Sequence, residues 1–356
     1  MPKIRALVVE DSLTVRKRLI EILSSDADLE VVGEAEDGVT AIALCQRLRP
    51  DVIALDMMLP RMTGLAVTEY VMAHFPTPIL IVSASTNRGE LFRTYEALAA
   101  GALDVLEKPT ADELEGEWEV RFLSAMKLLS RIKVITHPRA KLSWAPQPMG
   151  ALRANTRRPS GRFSAVAIGG STGGPVAVRE ILRALPADFP LPVLLVIHLA
   201  EGFGAAFADW LDGSSPLRVT CARDGERLPP VGEGRVIMAP PNAHMVLADG
   251  RLRLTRAPER HYCRPSVDVL FESVARELGD QAIACILTGM GKDGAAGLLA
   301  VKRAGGACLA QDEATSVVYG MPREAALLGA AERVLPLPEL AGAIVRLAGA
   351  SAEGGP

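Results

Sequence analysis

A chain of 356 residues, 49% apolar and 23% charged, has the make-up of globular domains and enough length for two separate cores. That composition excludes wholesale disorder, and a net charge of −3 argues against a chain built to neutralise nucleic-acid phosphates. Five scattered cysteines without a CxxC pair fit free thiols in a reducing cytoplasm better than a disulfide frame or a zinc site.

The start, MPKIRALVVEDS, turns acidic within one strand length and lacks the apolar core of a signal peptide. Residues 4–109 then alternate apolar and amphipathic runs. Ile4–Val9, Leu29–Glu34, Asp51–Asp56, Pro78–Ser83 and Asp104–Glu107 read as buried strands. Leu13–Leu23, Thr40–Leu48, Gly64–Phe75 and Leu91–Ala100 read as the helices between them. Such alternation predicts a doubly wound (βα)5 domain with a parallel sheet, whose ligands bind at the carboxyl ends of the strands.

Those ends carry Glu10 and Asp11 after the first strand, Asp56 after the third, Ser83 after the fourth and Lys108 after the fifth. Carboxylates converging on one edge repel unless a hard cation sits among them, and oxygen ligands suit Mg²⁺. Asp56 then becomes a nucleophile for a phosphoryl group, with Lys108 and Ser83 as donors to its oxygens. Each residue alone is an ordinary polar strand end; the five together make a site.

With those residues in place, 4–109 resembles the receiver domain of response regulators. The resemblance implies phosphorylation of Asp56 by a histidine kinase. It also implies a metal held by Glu10 or Asp11, Asp56 and the backbone carbonyl of Met58. Thr63 before Gly64 and Val105 in the fifth strand depart from the usual aspartate and aromatic residue.

Glu113–Ile135 reads as a helix, giving a first domain over 1–135. Residues 136–161, HPRAKLSWAPQPMGALRANTRRPSG and its flanks, are rich in Pro and Arg without apolar period, and read as a linker. A second α/β domain is expected over 162–350. Its strands are Ser164–Gly169, Val193–Leu199 and Ala282–Leu287, with helices at Val176–Leu185, Phe203–Leu211, Val267–Leu278 and Ala295–Ala304. Arg235–Ala239 and Met245–Arg253 read as a β-hairpin excursion from a mostly parallel sheet. The most apolar stretch, LPVLLVIHLA, is too short to span a bilayer, so a cytoplasmic protein without membrane insertion is expected.

The strand SAVAIGG runs into GGSTGGP and a helix, placing Ser171 in a glycine-rich turn at a helix N-terminus. Such a turn serves equally as a nucleophile elbow, a phosphate cradle or a plain helix cap. His198, closing the next apolar strand, and Asp293, in TGMGKDGAAG, favour the first reading. Ser, His and Asp at three strand ends supply nucleophile, general base and orienting acid. His244 and His261 are rival bases, the second of them expected in solvent; His74 and His137 receive no role.

IGGSTGGP, CRPSVDVLF, ILTGMGKDGAAGL and AQDEATSVVYGMPREA together resemble the chemotaxis protein-glutamate methylesterase family, CheB, over nearly the whole chain. The resemblance implies Ser171 as nucleophile, His198 as base and Asp293 as orienter, with Thr172 and Met290 as oxyanion candidates through their backbone N–H groups. It implies methylated chemoreceptor cytoplasmic domains as substrate, glutamine deamidation as a second activity, and no cofactor for the ester chemistry. The unphosphorylated receiver is expected to restrain the hydrolase. Ile197 and Leu199 depart from residues that often flank the family histidine, and Cys263 is expected to be a bystander thiol. The competing readings are a non-catalytic signalling adaptor that binds a phosphorylated ligand at GGSTGG, and a DNA-binding regulator, against which the absence of a basic recognition helix counts.

Overall fold

In a computed structural model, residues 2–84, 88–109, 116–132, 134, 161–199 and 201–349 are described. The chain divides into two compact units, Met1–Gln147 and Pro148–Pro356. The expected linker, apart from Gly161, lies outside the described residues.

The first unit alternates β1 (Ile4–Val9), α1 (Leu13–Ser24), β2 (Leu29–Ala35), α2 (Gly38–Leu48), β3 (Val52–Leu55), α3 (Gly64–His74), β4 (Ile79–Ser83), α4 (Arg88–Ala99), β5 (Asp104–Glu107) and α5 (Glu117–Leu129). All strand pairs are parallel, in the order β2-β1-β3-β4-β5. The direction of winding reverses between β1 and β3, which opens a crevice at their carboxyl ends. β3, Ala6–Val9 of β1 and Ile79–Val82 of β4 read as unbroken apolar runs because both faces of such a sheet are covered. Ser12, Asp37 and Thr63 each cap a helix by accepting from backbone N–H groups of its first turn. Thr63 therefore has a structural duty where the family often carries an aspartate. The helix expected over Glu113–Ile135 is α5, and both of its expected ends lie outside the described residues.

The second unit is built on β6 (Ala165–Gly170), β7 (Val193–Ile197), β8 (Arg218–Cys221), β9 (Arg235–Met238), β12 (Ala282–Ile286), β13 (Ala307–Gln311) and β14 (Arg333–Leu335). They form one parallel seven-stranded sheet in the order β14-β13-β12-β6-β7-β9-β8. Its helices are α6 (Gly174–Ala184), α7 (Gly204–Ser214), α8 (Val267–Leu278), α9 (Ala295–Arg303), α10 (Met321–Leu327) and α11 (Leu337–Gly349). β6 is the turning point: the chain first winds toward β7 and later returns to lay β12 on the other side. One core cluster beneath the sheet joins Leu194, Met245, Leu270, Phe271, Val274, Ile286 and Leu298, all fully buried.

One expected pairing is corrected. Arg235–Ala239 does not pair with the run after it; β9 lies between β7 and β8 in the main sheet. The hairpin is inside the run Met245–Arg253, where β10 (His244–Ala248) and β11 (Arg251–Thr255) pair antiparallel. The turn between them is Asp249-Gly250, both at positive φ, the two-residue signal that folds a strand back on itself. Among the described residues, no helix is long and apolar enough to cross a membrane.

Candidate active site and phosphoacceptor pocket

In the first unit, Glu10 and Asp56 are buried at the ends of β1 and β3, while Asp11 is exposed beside them. The Lys108 ammonium is held by both acids, at 2.8 Å from Glu10 Oε2 and 3.1 Å from Asp56 Oδ2. Its position is set by the strand edge, since the Lys108 N–H donates to the Ser83 carbonyl at 3.0 Å. Ser83 itself is buried at the end of β4.

Burial lifts the pKa of Asp56 more than Lys108 lowers it, and the net shift is upward. Glu10 moves up for the same reason, with the charge of Asp56 adding to it. Burial opposes the Lys108 charge, but the two acids outweigh it and raise its pKa. One ammonium thus serves two buried carboxylates. Ligand oxygens of Glu10, Asp11 and Asp56 lie within 4.8 Å of one another, and Glu10 Oε2 and Asp56 Oδ2 share a single ammonium. This surplus of hard oxygen charge fits a divalent cation such as Mg²⁺. The Met58 side chain is exposed. Gly64 is required here, because a Cβ would come within 2.4 Å of the Asp56 carbonyl oxygen.

In the second unit the register of the sheet assembles the other site. Gly170 pairs with Ile197 and Gly169 with Ile286, so the residues that follow β6, β7 and β12 leave the sheet side by side. Ser171 is the first residue past β6, and His198 the first past β7. The Ser171 N–H donates to the Thr288 carbonyl and the His198 N–H to the Gly170 carbonyl. The turn is tight: the Gly174 N–H reaches the Ser171 carbonyl at 2.6 Å, with Gly173 in the left-handed region.

Asp293 is buried and accepts four hydrogen bonds. They come from His198 Nε2 at 2.9 Å, Ser266 Oγ at 2.7 Å, the Val267 N–H at 2.7 Å and the Asp268 N–H at 3.1 Å. Three of these donors belong to the start of α8, so the carboxylate sits on a helix N-terminus, where negative charge is favoured. Burial alone would raise its pKa; His198, Ser266 and the Val267 N–H outweigh that and lower it. Gly169 permits the approach of α8, since a Cβ there would lie 2.1 Å from a Val267 methyl.

With Asp293 accepting from Nε2, Nδ1 is the nitrogen that carries the lone pair whenever the His198 ring is neutral. That nitrogen faces the Cys263 sulfur at 3.5 Å. Burial disfavours the charged imidazole, but Asp293 and Cys263 outweigh it and the pKa is pushed up to about 9. No hydrogen bond joins Ser171 Oγ to His198 in this state, although strand register makes the two residues neighbours. Cys263, expected as a bystander thiol, thus lies against the ring of His198. It is aimed at the base by a tight turn in which Arg260 and Cys263 exchange backbone hydrogen bonds across His261 and Tyr262, both at positive φ. Nothing in the spacing of the cysteines pointed to this, because the contact spans 65 residues.

The rival histidines resolve differently. His244 is buried and both nitrogens are engaged, Nδ1 accepting from the Ser266 N–H at 3.1 Å and Nε2 meeting the Pro258 carbonyl at 3.2 Å. It is a strut beneath α8. His261 is exposed, as expected, and its Nε2 meets buried Asp268 at 3.2 Å. Asp268 also accepts from the Gly297 N–H at 2.6 Å, tying α8 to α9. Ser266 and Asp268 carry no assigned role in the CRPSVDVLF run; an S-V-D stretch opening an apolar helix was the available signal. Of the oxyanion candidates, Thr172 is buried and Met290 is exposed. The Thr172 carbonyl accepts from Thr288 Oγ1 at 3.0 Å, and the Gly289 N–H is spent on the Val318 carbonyl.

Fold and strand-end chemistry together define a class: an α/β hydrolase domain joined to a phosphoacceptor domain. Residues 166–344 match the CheB methylesterase family model, and residues 6–116 match that of the response regulator receiver domain. A protein-glutamate methylesterase/protein-glutamine glutaminase of Anaeromyxobacter dehalogenans is 43% identical over 344 residues, 97% of each chain. A protein of the same description from Syntrophus aciditrophicus is 43% identical over 98% of this chain and 99% of its own. The solved CheB methylesterase catalytic domain of Thermotoga maritima is 37% identical over 52% of this chain and 98% of its own, with a TM-score of 0.49. The chain belongs to the CheB methylesterase family.

Proposed function

We propose that this protein hydrolyses glutamate methyl esters on chemoreceptor cytoplasmic domains, under control of phosphorylation at Asp56. The observation that carries the esterase reading is the Asp293–His198 pair at 2.9 Å, next to Ser171 in strand register. Ser171 Oγ attacks the ester carbonyl while its proton passes to His198 Nδ1. Asp293 holds the Nε2 proton and stabilises the imidazolium. His198 returns a proton to the leaving oxygen, methanol departs, and water activated by the same nitrogen resolves the acyl-enzyme. For this to occur, substrate entry exchanges the Cys263 thiol at Nδ1 for the Ser171 hydroxyl; catalytic hydrogen bonds commonly tighten only in the complex. The N–H groups of Thr172 and Met290 are the proposed donors to the oxyanion. A glutamine side chain undergoes the same acyl transfer with ammonia as leaving group.

In the receiver, a histidine kinase supplies the phosphoryl group. Mg²⁺ bound by Glu10 or Asp11, Asp56 and the Met58 carbonyl would offset phosphoryl charge. Asp56 is the attacking carboxylate, and Lys108 and Ser83 bind the transferred group. Methanol release from methylated receptor tests the esterase. Ser171→Ala is expected to reduce it by about 10⁶, roughly 8 kcal/mol of transition-state stabilisation. Near-normal release in that variant removes Ser171 from the mechanism.

A further inference from the structure

The pair formed by His198 and Cys263 has dimensions that ester hydrolysis does not require. A tetrahedral ion with one thiolate at about 2.3 Å and one imidazole nitrogen at about 2.0–2.1 Å sets those two ligands about 3.5 Å apart. The Cys263 Sγ to His198 Nδ1 separation is 3.5 Å. In the neutral ring this nitrogen bears the lone pair, with the opposite nitrogen giving its proton to Asp293. A carboxylate behind a metal-binding imidazole fixes its tautomer and raises its basicity.

A three-ligand reading that adds Asp293 is also open, since ligand atoms of His198, Cys263 and Asp293 lie within 4.8 Å of one another. It fails on bonding: Asp293 already accepts four hydrogen bonds, three of them from the start of α8. The protein therefore offers two ligands and leaves the remaining positions to water. Access is open, for Cys263 is half-buried and the adjoining Tyr262 is 96% exposed.

We propose that His198 Nδ1 and Cys263 Sγ bind a thiophilic divalent cation, with zinc the fitting ion, and that the bound ion shuts the esterase. The ion takes the lone pair that would receive the Ser171 proton, and the thiol proton leaves to solvent on binding. Inhibition rests on the reading of His198 as general base; binding does not.

The test uses the full chain and two readouts. Cadmium titration followed by its ultraviolet thiolate charge-transfer band should saturate at one ion per chain, and the band should be lost in Cys263→Ser and in His198→Ala. Absence of the band, or its survival in Cys263→Ser, overturns the site. Methanol release is then measured with and without zinc, each variant compared with itself. Zinc should silence the unmodified protein, and Cys263→Ser should need at least about tenfold more. Equal sensitivity of both, or binding without inhibition, overturns the regulatory claim. A protein that binds cadmium but releases no methanol under any condition refutes the esterase reading and leaves the metal site standing.

Discussion

At the scale of single residues, the buried Asp293 carboxylate accepts four hydrogen bonds. Replacing it by Asn keeps the volume but turns one hydrogen-bond acceptor into a donor, which conflicts with donors on every side. The wrong imidazole tautomer is then favoured, and kcat for methanol release should fall by about 10⁴. A loss below tenfold would remove Asp293 as the orienting group. Ser171 and His198 stood out as candidates in the sequence because each follows directly on an apolar strand, and Asp293 because it lies in the glycine-rich loop between β12 and α9. Cys263 was not, since its importance arises from a turn that brings it to a histidine from a different crossover. The same limit hid the role of His244, whose two hydrogen bonds run to backbone groups that no motif encodes.

At the scale of elements, helix entry points are where charge and folding meet. Asp37 caps α2, accepting from the N–H groups of Val39 and Thr40 and from the Thr40 hydroxyl, with Arg61 as ion-pair partner. Burial works against its ionised form, but these partners win and lower its pKa from 3.8 to about 2. A carboxylate depressed in the folded state adds stability above its unfolded pKa, and that increment fades as pH falls toward the folded value. Asp37→Ala should therefore cost about 2 kcal/mol at neutral pH. Denaturant unfolding of both forms should show the gap shrinking below about pH 4, as the shift from 3.8 to about 2 requires. A gap that persists unchanged at pH 2 would assign the loss to packing alone. Elements of this kind were readable in advance because cap residues and apolar periods are local. β9 was misassigned because the run Met245–Arg253 reads as one strand unless Asp249-Gly250 is taken as its turn, and strand order in the sheet is a property of distant segments.

At the scale of the whole molecule, each parallel sheet carries its site where its winding reverses: Glu10 and Asp56 beside β1 and β3, Ser171 beside β6. Coupling between the two units predicts that a small phosphodonor with Mg²⁺ raises methanol release severalfold in the full chain and leaves Asp56→Ala unchanged. Equal stimulation of both would show that the phosphodonor acts elsewhere. The hold of α8 on Asp293 has a consequence for the newly made protein. The donors at Ser266, Val267 and Asp268 precede their acceptor by 25 to 27 residues, and the acceptor arrives only after β12 has found its place beside β6. A nascent chain halted on the ribosome before that point would already own its serine and imidazole yet lack any means to aim them, so hydrolytic competence should switch on late in synthesis, after the receiver has emerged.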